Sequence, residues 1–569
     1  MSSEYQSIPQ EEGSSSANAI SNEVNRSSKK DRHSSTESIV STDAERQPLV
    51  DRESGNHRYL SPDDPLVSPI NLYKIRVLRV SLLTIFAINC VLFFAFLLSD
   101  FIAIPGLNNR GKSFLELDLV ILNILTNLVT LWCFVVPAYY ERVLGYISAS
   151  LILIDFIIMF SIQRMRDQFG VIGTFVLLWT LANVVLNCFA DFWVEKGKLY
   201  QERKYTGREE TRKSISELFV IAVKVLFKLF LLWLIWCISL SLWLQAFDSH
   251  EKPWGKMIPV DNDQFKVHLA CYGDVHAPPG DINATDNKEK QPIVLIEGGQ
   301  LDSSEVVQEW VEELYHLGKI DRYCIWDRPG YGFSDSAPSP LSIGIVSEYL
   351  IEALRKEHLE GPFSLVGFDI GGLYARMFAS RSSGNIHSLL LVDSWHEDLL
   401  KIRPFSGSNM KNEKKRVFKN ILELMDTKTG LKLWLKGLIS PLGIVSNINW
   451  FFHPKRHSSN SRIFGSDMYY LSKYIRARLQ EQVTASILSY NEMAGTDLHD
   501  IPVSVISSDF MIKNSLNWGK WQRSLTKLSD QTIEWVVAEN SNHLIWRSPK
   551  GKAQLQQLLL RLVSEKSNY

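Results

Sequence analysis

Residues Phe363 to Ser380 read F-S-L-V-G-F-D-I-G-G-L-Y-A-R-M-F-A-S, an apolar β-like run that meets a glycine-framed turn and then a helix-forming stretch. The frame Gly367-Phe368-Asp369-Ile370-Gly371 is that of the G-x-S-x-G turn, in which a strand reverses sharply into a helix and its central side chain stands exposed for chemistry. Glycine at the two framing positions lets the backbone take a turn that a side chain would block. Asp369 stands where serine is usual, so the sequence nominates one carboxylate for chemistry and removes the ordinary serine-esterase reading.

Around this turn the C-terminal half is patterned as a globular α/β protein. Strand-like runs fall at Val267–Cys271, Ile293–Ile296, Tyr323–Trp326, Phe363–Val366, Ser388–Val392, Val503–Ile506 and Glu534–Ala538, with helical stretches between several of them. Near-continuous apolar strands alternating with helices predict a mostly parallel sheet buried on both faces. The stretch Trp326-Asp327-Arg328-Pro329-Gly330-Tyr331-Gly332-Phe333-Ser334-Asp335 resembles the D-R-x-G-x-G-x-S turn after the fourth strand of α/β-hydrolases, and the elbow follows at the usual distance. Together with Ile296-Glu297-Gly298-Gly299, G-G-L-Y-A-R-M-F-A, L-L-L-V-D-S-W-H-E-D and S-N-H-L-I-W, it looks like a branch of exported α/β-hydrolases, over nearly all of Trp254 to Val563. No G-x-G-x-x-G follows a strand, which sets a dinucleotide-binding sheet aside.

That resemblance implies a site. His543, in Asn540-Ser541-Asn542-His543, takes the place of the histidine after the last strand, where a base must reach the elbow residue and be oriented by an acid. Two aspartates compete as the acid: Asp509 after the seventh strand, which is preferred, and Asp393 after the sixth. The oxyanion hole would use the backbone N–H groups of Ile370 and Gln300, the latter by alignment of Gly298-Gly299 with the family's H-G step. No metal and no cofactor are expected. A carboxylate attacking an acyl carbon would give an anhydride, whereas attack on an sp3 carbon bearing an epoxide oxygen or a halide gives an ester that histidine-activated water can cleave. Epoxide hydrolases and haloalkane dehalogenases of this fold place aspartate at the elbow. They usually follow it with tryptophan, where Ile370 stands here, and the epoxide hydrolase H-G-x-P loop is replaced by E-G-G-Q.

Residues 396–500 form an insertion of the size of a cap. Its apolar, aromatic stretch Leu431 to Phe452 suits either a helical lid or a segment dipping into the lipid interface. Tyr469, Tyr470, Tyr474 and Tyr490 are read mainly as packing, with proton donation to an epoxide oxygen as the alternative.

The N-terminal half is different in kind. Residues 1–72 carry much Ser, Glu, Asn and Arg and are expected to form a disordered cytosolic tail, with an acidic dileucine-like sequence at Glu45 to Val50. Five apolar runs near bilayer-spanning length follow, at Val80–Leu98, Leu119–Tyr139, Val143–Ile162, Val171–Ala190 and Leu226–Leu244, so 73–247 is read as a transmembrane domain and 248–569 as the hydrolase domain. The basic connector with Lys196, Lys198, Arg203, Lys204, Arg208, Arg212 and Lys213 belongs in the cytosol by the positive-inside rule. An odd number of spans then puts the N-terminus in the cytosol and the hydrolase domain in a lumen or outside, in an endomembrane or the plasma membrane. Asn283-Ala-Thr285 is a glycosylation sequon consistent with that side, and Cys271 and Cys324, in strands expected to be neighbours, are either a disulfide or two buried thiols. Asp155 is read as a hydrogen-bonded structural residue ahead of an ion path, and Lys224 and Lys228 as snorkelling to the cytosolic face.

A net charge of −1 gives no reason to expect a nucleic-acid partner; membrane lipid and a small apolar or lipid-like substrate are the expected ones. Three readings follow: a membrane-anchored hydrolase using Asp369, His543 and an aspartate; a catalytically silent hydrolase fold that binds a ligand or partner; and a transporter or receptor bundle with an accessory domain. Scarcity of polar residues in the spans weighs against the third.

Overall fold

A computed structural model describes residues 59–60, 64–105, 107, 112–207, 214–276, 291–300, 303–402, 430–496, 498, 500–515 and 517–564. Most of the expected tail, its dileucine-like sequence and the Asn283 sequon lie outside the described residues.

Among the described residues, five helices are long and apolar enough to cross a membrane: α1 (Tyr73–Leu98), α2 (Leu115–Trp132), α3 (Tyr139–Ser161), α4 (Gln163–Thr206) and α5 (Ile215–Asp248). Each contains or overlaps one expected span. Helix α4 runs well past Ala190 because nothing breaks it before Gly207, whose left-handed φ of 75° ends it, so half of the basic connector is helical. Near its start α4 kinks at Gly170, where φ is 58°.

The bundle is more polar inside than expected. Asn89 of α1, Asn127 of α2 and Asn183 and Asn187 of α4 are buried and joined: Asn89 and Asn127 donate to Asn183 Oδ1 at 3.1 Å each, and Asn187 donates to Asn127 Oδ1 at 2.7 Å. Asp155 accepts from Ser239 Oγ at 2.6 Å and Trp243 Nε1 at 2.9 Å, as a structural aspartate should. Lys224 does not snorkel; it is buried against Glu141 at 2.5 Å and Asp191 at 3.4 Å, and Lys228 is buried beside it. Two carboxylates at the same depth hold Lys224 more effectively than the distant interface would.

The C-terminal part is built on one eight-stranded sheet. Its strands are β1 (Lys256–Val260), β2 (Phe265–Tyr272), β3 (Ile293–Glu297), β4 (Tyr323–Asp327), β5 (Phe363–Phe368), β6 (Ile386–Val392), β7 (Val503–Ser508) and β8 (Thr532–Ala538). Their order is β1-β2-β4-β3-β5-β6-β7-β8, with β1 and β2 antiparallel and β4 through β8 parallel. β1, whose run is interrupted by Pro259, is the strand the sequence pattern does not announce. β3, β4, β5, β6 and β7 are buried along their whole length, because α6 (Ser304–His316), α7 (Ile343–Lys356), α8 (Gly371–Arg381) and the C-terminal helix Pro549–Ser564 cover both faces. Cys271 and Cys324 sit opposite each other on β2 and β4 and are joined in a disulfide.

Bundle and sheet domain pack together within one compact unit spanning Leu49–Tyr569. Ser113 beside α2 meets Ser336 at 2.8 Å, Gln168 of α4 donates to Asp335 at 2.7 Å, and Arg462 of the insertion forks onto Asp248 of α5. The insertion helices Gly430–Ile439 and Ile444–Phe452 lie between: Trp434, Leu438 and Leu442 pack on the bundle core, while Leu435, Ile439, Val445, Ile448, Phe451 and Phe452 remain exposed.

Candidate active site

Strand β5 delivers Asp369 into a turn with φ 54°, a left-handed conformation that costs a non-glycine residue roughly 1–2 kcal/mol and persists only where its surroundings impose it. Those surroundings leave no room for side chains at the glycines. A Cβ on Gly367 would stand 2.6 Å from Gly372 Cα, one on Gly371 would strike the carbonyls of Glu297 and Gly298, and one on Gly372 would overlap Ser394. The tight frame aims the Asp369 carboxylate toward the C-terminal edge of the sheet, where the chain ends of β3, β6 and β8 converge.

There the carboxylate is gripped on both oxygens. Oδ2 accepts from the backbone N–H of Gln300 at 2.9 Å, with the N–H of Ile370 also bearing on the carboxylate, so the two expected oxyanion donors hold Asp369 itself. Oδ1 lies 3.3 Å from His543 Nε2. Burial alone would raise the Asp369 pKa, but His543 and the backbone N–H groups outweigh it and hold the carboxylate below its usual value.

The other face of the imidazole is held by Asp393, whose Oδ2 is 2.7 Å from His543 Nδ1. Asp393 is fully buried and saturated, accepting also from Ser508 Oγ at 2.6 Å, Ser508 N at 3.3 Å and Trp518 Nε1 at 2.7 Å. The preference for Asp509 as the acid is therefore corrected. A short helix starts directly after β7 with Ser508 as its cap, and this swings the Asp509 side chain away to Lys513 Nζ at 2.8 Å and to the N–H of Ser541 at 3.2 Å. Asp509 braces the loop that carries His543 without touching the imidazole. Burial disfavours charge on His543, yet Asp369 and Asp393 on either side push its pKa up to about 10. At neutral pH the resting site is an imidazolium between two carboxylates.

A second polar layer, which the motifs only hinted at, lies behind the oxyanion loop. Arg328 is buried with Nη2 donating to the carbonyl of Gly299 at 2.9 Å and Nη1 to that of Gly298, which fixes the loop carrying Gln300. Its counter-ion is Glu481 of the insertion, 3.4 Å from Nε; Glu481 also accepts from Tyr331 OH at 2.7 Å, Tyr374 OH at 3.2 Å and Gln300 Nε2 at 3.2 Å. Burial first, and then Glu481, push both phenols far above the usual tyrosine range, so they stay protonated donors. Of the insertion tyrosines, Tyr474 donates to the carbonyl of Gln300 at 3.1 Å. Glu297, buried at the end of β3, has its carboxyl pushed up to about 8 by burial. The run Gln480-Glu481-Gln482 was the available signal for Glu481, but nothing in it tells which strand ends it meets.

An α/β-hydrolase fold with an aspartate at its elbow, a histidine beside it and an aspartate directly after β6 defines the class of this protein. A family model for the alpha/beta hydrolase fold matches residues 291–427, and one for a region of unknown function, DUF2417, matches 45–271. The chain belongs to the same family as a vacuolar membrane protein of Saccharomyces cerevisiae. An "Uncharacterized vacuolar membrane protein" of Saccharomyces cerevisiae is 31% identical over 554 residues, covering 84% of this chain and 85% of the relative. An uncharacterized protein of Schizosaccharomyces pombe is 26% identical over 541 residues, covering 87% and 92%. Among solved structures, an esterase from Thermogutta terrifontis is 15% identical, covering 55% of this chain and all (100%) of its own, with a TM-score of 0.33. The epoxide hydrolase CorEH is 16% identical, covering 54% and 97%, with a TM-score of 0.36. The chain is thus a membrane-associated protein of the α/β-hydrolase fold.

Proposed function

We propose that this protein is a membrane-anchored hydrolase that opens an electrophilic sp3 carbon, in an epoxide or halide of an apolar or lipid-like molecule, through a covalent ester on Asp369. The observation that carries it is the division of labour between the two Asp369 oxygens: Oδ2 on the backbone N–H of Gln300 and Oδ1 beside His543. Oδ1 attacks the carbon, the carbon–halide or carbon–epoxide oxygen bond breaks, and halide leaves or the alkoxide takes a proton from water. Alkylation removes the negative charge that helped hold His543 protonated, so its pKa falls and it releases its Nε2 proton to solvent. The neutral imidazole, still oriented through Nδ1 by Asp393, then takes a proton from water as that water adds to the ester carbonyl. The N–H of Gln300, already on Oδ2, and that of Ile370, which also bears on the carboxylate, stabilise the tetrahedral oxyanion, and collapse releases the alcohol with one water oxygen left in the carboxylate.

Location supports a lipid-like substrate. The exposed apolar residues of the insertion adjoin the bundle, where they would meet the bilayer interface. The Cys271–Cys324 disulfide and the basic end of α4 favour a lumenal or exoplasmic hydrolase domain with the N-terminus in the cytosol, and the vacuolar membrane location in the name of the S. cerevisiae relative favours that membrane.

The test is single turnover in oxygen-18 water with a panel of apolar epoxides and halides, followed by mass analysis of the peptide carrying Asp369. One label in its carboxylate is expected with at least one substrate. Turnover that leaves the peptide unlabelled rejects the covalent route, and no turnover by any member rejects the hydrolase reading and leaves a ligand-binding fold.

A further inference from the structure

Among the described residues, a cluster of cations with no carboxylate in hydrogen-bonding contact lies away from Asp369, in a cavity between the sheet-side ends of α2, α4 and α5 and the turn after β4. Lys112, Arg164 and Lys473 line it. Their hydrogen-bond acceptors are neutral: Lys112 Nζ donates to Gln168 Oε1 at 2.7 Å and Gln245 Oε1 at 3.1 Å, Lys473 Nζ to the carbonyls of Gly332 and Ser334, and Arg164 to those of Glu251 and Phe333. Among the described residues none of the three is in an ion pair. The two carboxylates of the cavity are both engaged, Asp248 by Arg462 and Asp335 by Gln168 and the N–H of Lys266. The lining thus carries three cations and two carboxylates, while Glu116 and Asp327, outside the lining, also act on Lys112 and Lys473 respectively. Burial is the main cause that holds the ammonium groups of Lys112 and Lys473 down at about 8, against the pull of Asp335.

Cations are costly to gather in a partly buried space unless something anionic joins them. The remaining walls are apolar, with Leu115 and Leu242 from the bundle and Ile463 and Leu471 from the insertion. We propose that this cavity binds a phosphate group, the three cations taking its charge and the apolar walls receiving what the phosphate is attached to. The shared chemistry of the ligand is an oxyanion of charge −1 to −2, offered either by a phospholipid headgroup entering from the bilayer or by a free phosphate. Arg164 supplies a planar fork, and the two lysines supply point charges from the bundle and the insertion. Occupancy would therefore tie α2, α4 and the insertion together at the place where bundle and hydrolase domain meet. The inference does not depend on chemistry at Asp369.

The experiment uses the full chain in a non-ionic detergent, offered phosphatidic acid, diacylglycerol with the same tails, or inorganic phosphate. Binding is read by native mass spectrometry for the lipids and by calorimetry for phosphate. Phosphatidic acid should bind and diacylglycerol should not. Lys112→Gln and Lys473→Gln should each weaken binding about tenfold, the loss of one charged hydrogen bond. Asp335→Asn, which removes the opposing charge, should strengthen it, a direction that misfolding does not produce. Lys256→Gln, at an exposed residue on β1, should change nothing. Phosphate that binds alone with the same dependence on Lys112 and Lys473 identifies a free phosphate site; binding of the lipid alone identifies a headgroup. Equal binding of diacylglycerol, wild-type affinity in both lysine variants, or no binding of either phosphate probe overturns the proposal.

Discussion

Asp393→Asn tests the imidazole's orientation at one atom. In the wild type Oδ1 of Asp393 receives two fixed donors, Ser508 N and Trp518 Nε1, while Oδ2 receives His543 Nδ1 and the rotatable Ser508 hydroxyl. The asparagine oxygen must stay with the two fixed donors, since turning the amide nitrogen there would set donor against donor. The amide N–H group then faces His543, and the only imidazole form that accepts it has its proton on Nε2. That tautomer has no lone pair at Nε2 with which to take a proton from water. The stability cost is small, about 1–3 kcal/mol for one imperfectly matched buried donor, because Ser508 can turn to accept. The catalytic cost is large: loss of the working tautomer lowers the base-dependent step by roughly 10⁴-fold. Histidine labelled with nitrogen-15 reads the protonation of each ring nitrogen without any substrate, both nitrogens in the resting wild type and Nε2 alone in Asp393→Asn, and intact-mass analysis after exposure to an epoxide or halide should show the alkyl-enzyme accumulating. Asp509→Asn should do neither, since Asp509 holds Lys513 and the N–H groups of Asn540 and Ser541 and not the imidazole. If Asp509→Asn shifts the tautomer or traps the ester while Asp393→Asn behaves as wild type, the assignment of the acid is wrong.

The charge state of His543 makes a prediction about pH. Its folded pKa, raised to about 10 from the ordinary 6.5, means that its ion pairs contribute fully below about 6.5 and are lost as pH rises through 10; a melting temperature flat between those limits would contradict them. Asp369, depressed below 3.8, contributes above that value and loses its pairing as pH falls through its folded pKa. Glu481→Gln should be far more damaging than a surface change, by about 3–5 kcal/mol, because Arg328 is left charged and buried; a melting temperature within a degree or two of wild type would show the pair to be dispensable. Cys271→Ser with Cys324→Ser should lower stability by about 4 kcal/mol for a cross-link spanning 53 residues, and in the wild type Cys271 and Cys324 should resist maleimide until reduced.

How much of this was legible depends on whether a feature is local. The glycine frame around Asp369, the strand runs and the five apolar spans are local patterns, and they place the elbow, the sheet and the bundle. His543 was reachable because it follows the last strand in a recognisable order. The acid was not, because Asp393 and Asp509 both follow strands on the correct edge, and which one meets the imidazole is decided by whether the chain after the strand turns into a helix at once. Ser508, a cap residue that also donates to Asp393, makes that choice. Glu481 was further out of reach: its partners Arg328, Tyr331 and Tyr374 lie more than a hundred positions away and come together only when the insertion folds back over the oxyanion loop.

The bundle raises the same question from the other side, since its polar interior removes the reason first given against a transport role. Scarcity does not hold: asparagines of α1, α2 and α4, the Asp155 site and the Lys224 cluster all lie within the spans. What weighs against a path is how these groups are spent. Asn89, Asn127, Asn183 and Asn187 bond one another across three helices, Asp155 is held by Ser239 and Trp243 of α5, and Lys224 is clamped between Glu141 of α3 and Asp191 of α4. Hydrogen bonds of this kind drive helix association in lipid, where apolar contact alone gives little preference for one helix over another. Their partners lie on different helices each time, so they fix the bundle's internal arrangement. A bundle fixed in this way can hold the ends of α2, α4 and α5 steady against the sheet domain, as the contacts of Ser113, Gln168 and Asp248 require. The polar residues of the membrane part thus belong to the scaffold that positions the hydrolase domain at the bilayer.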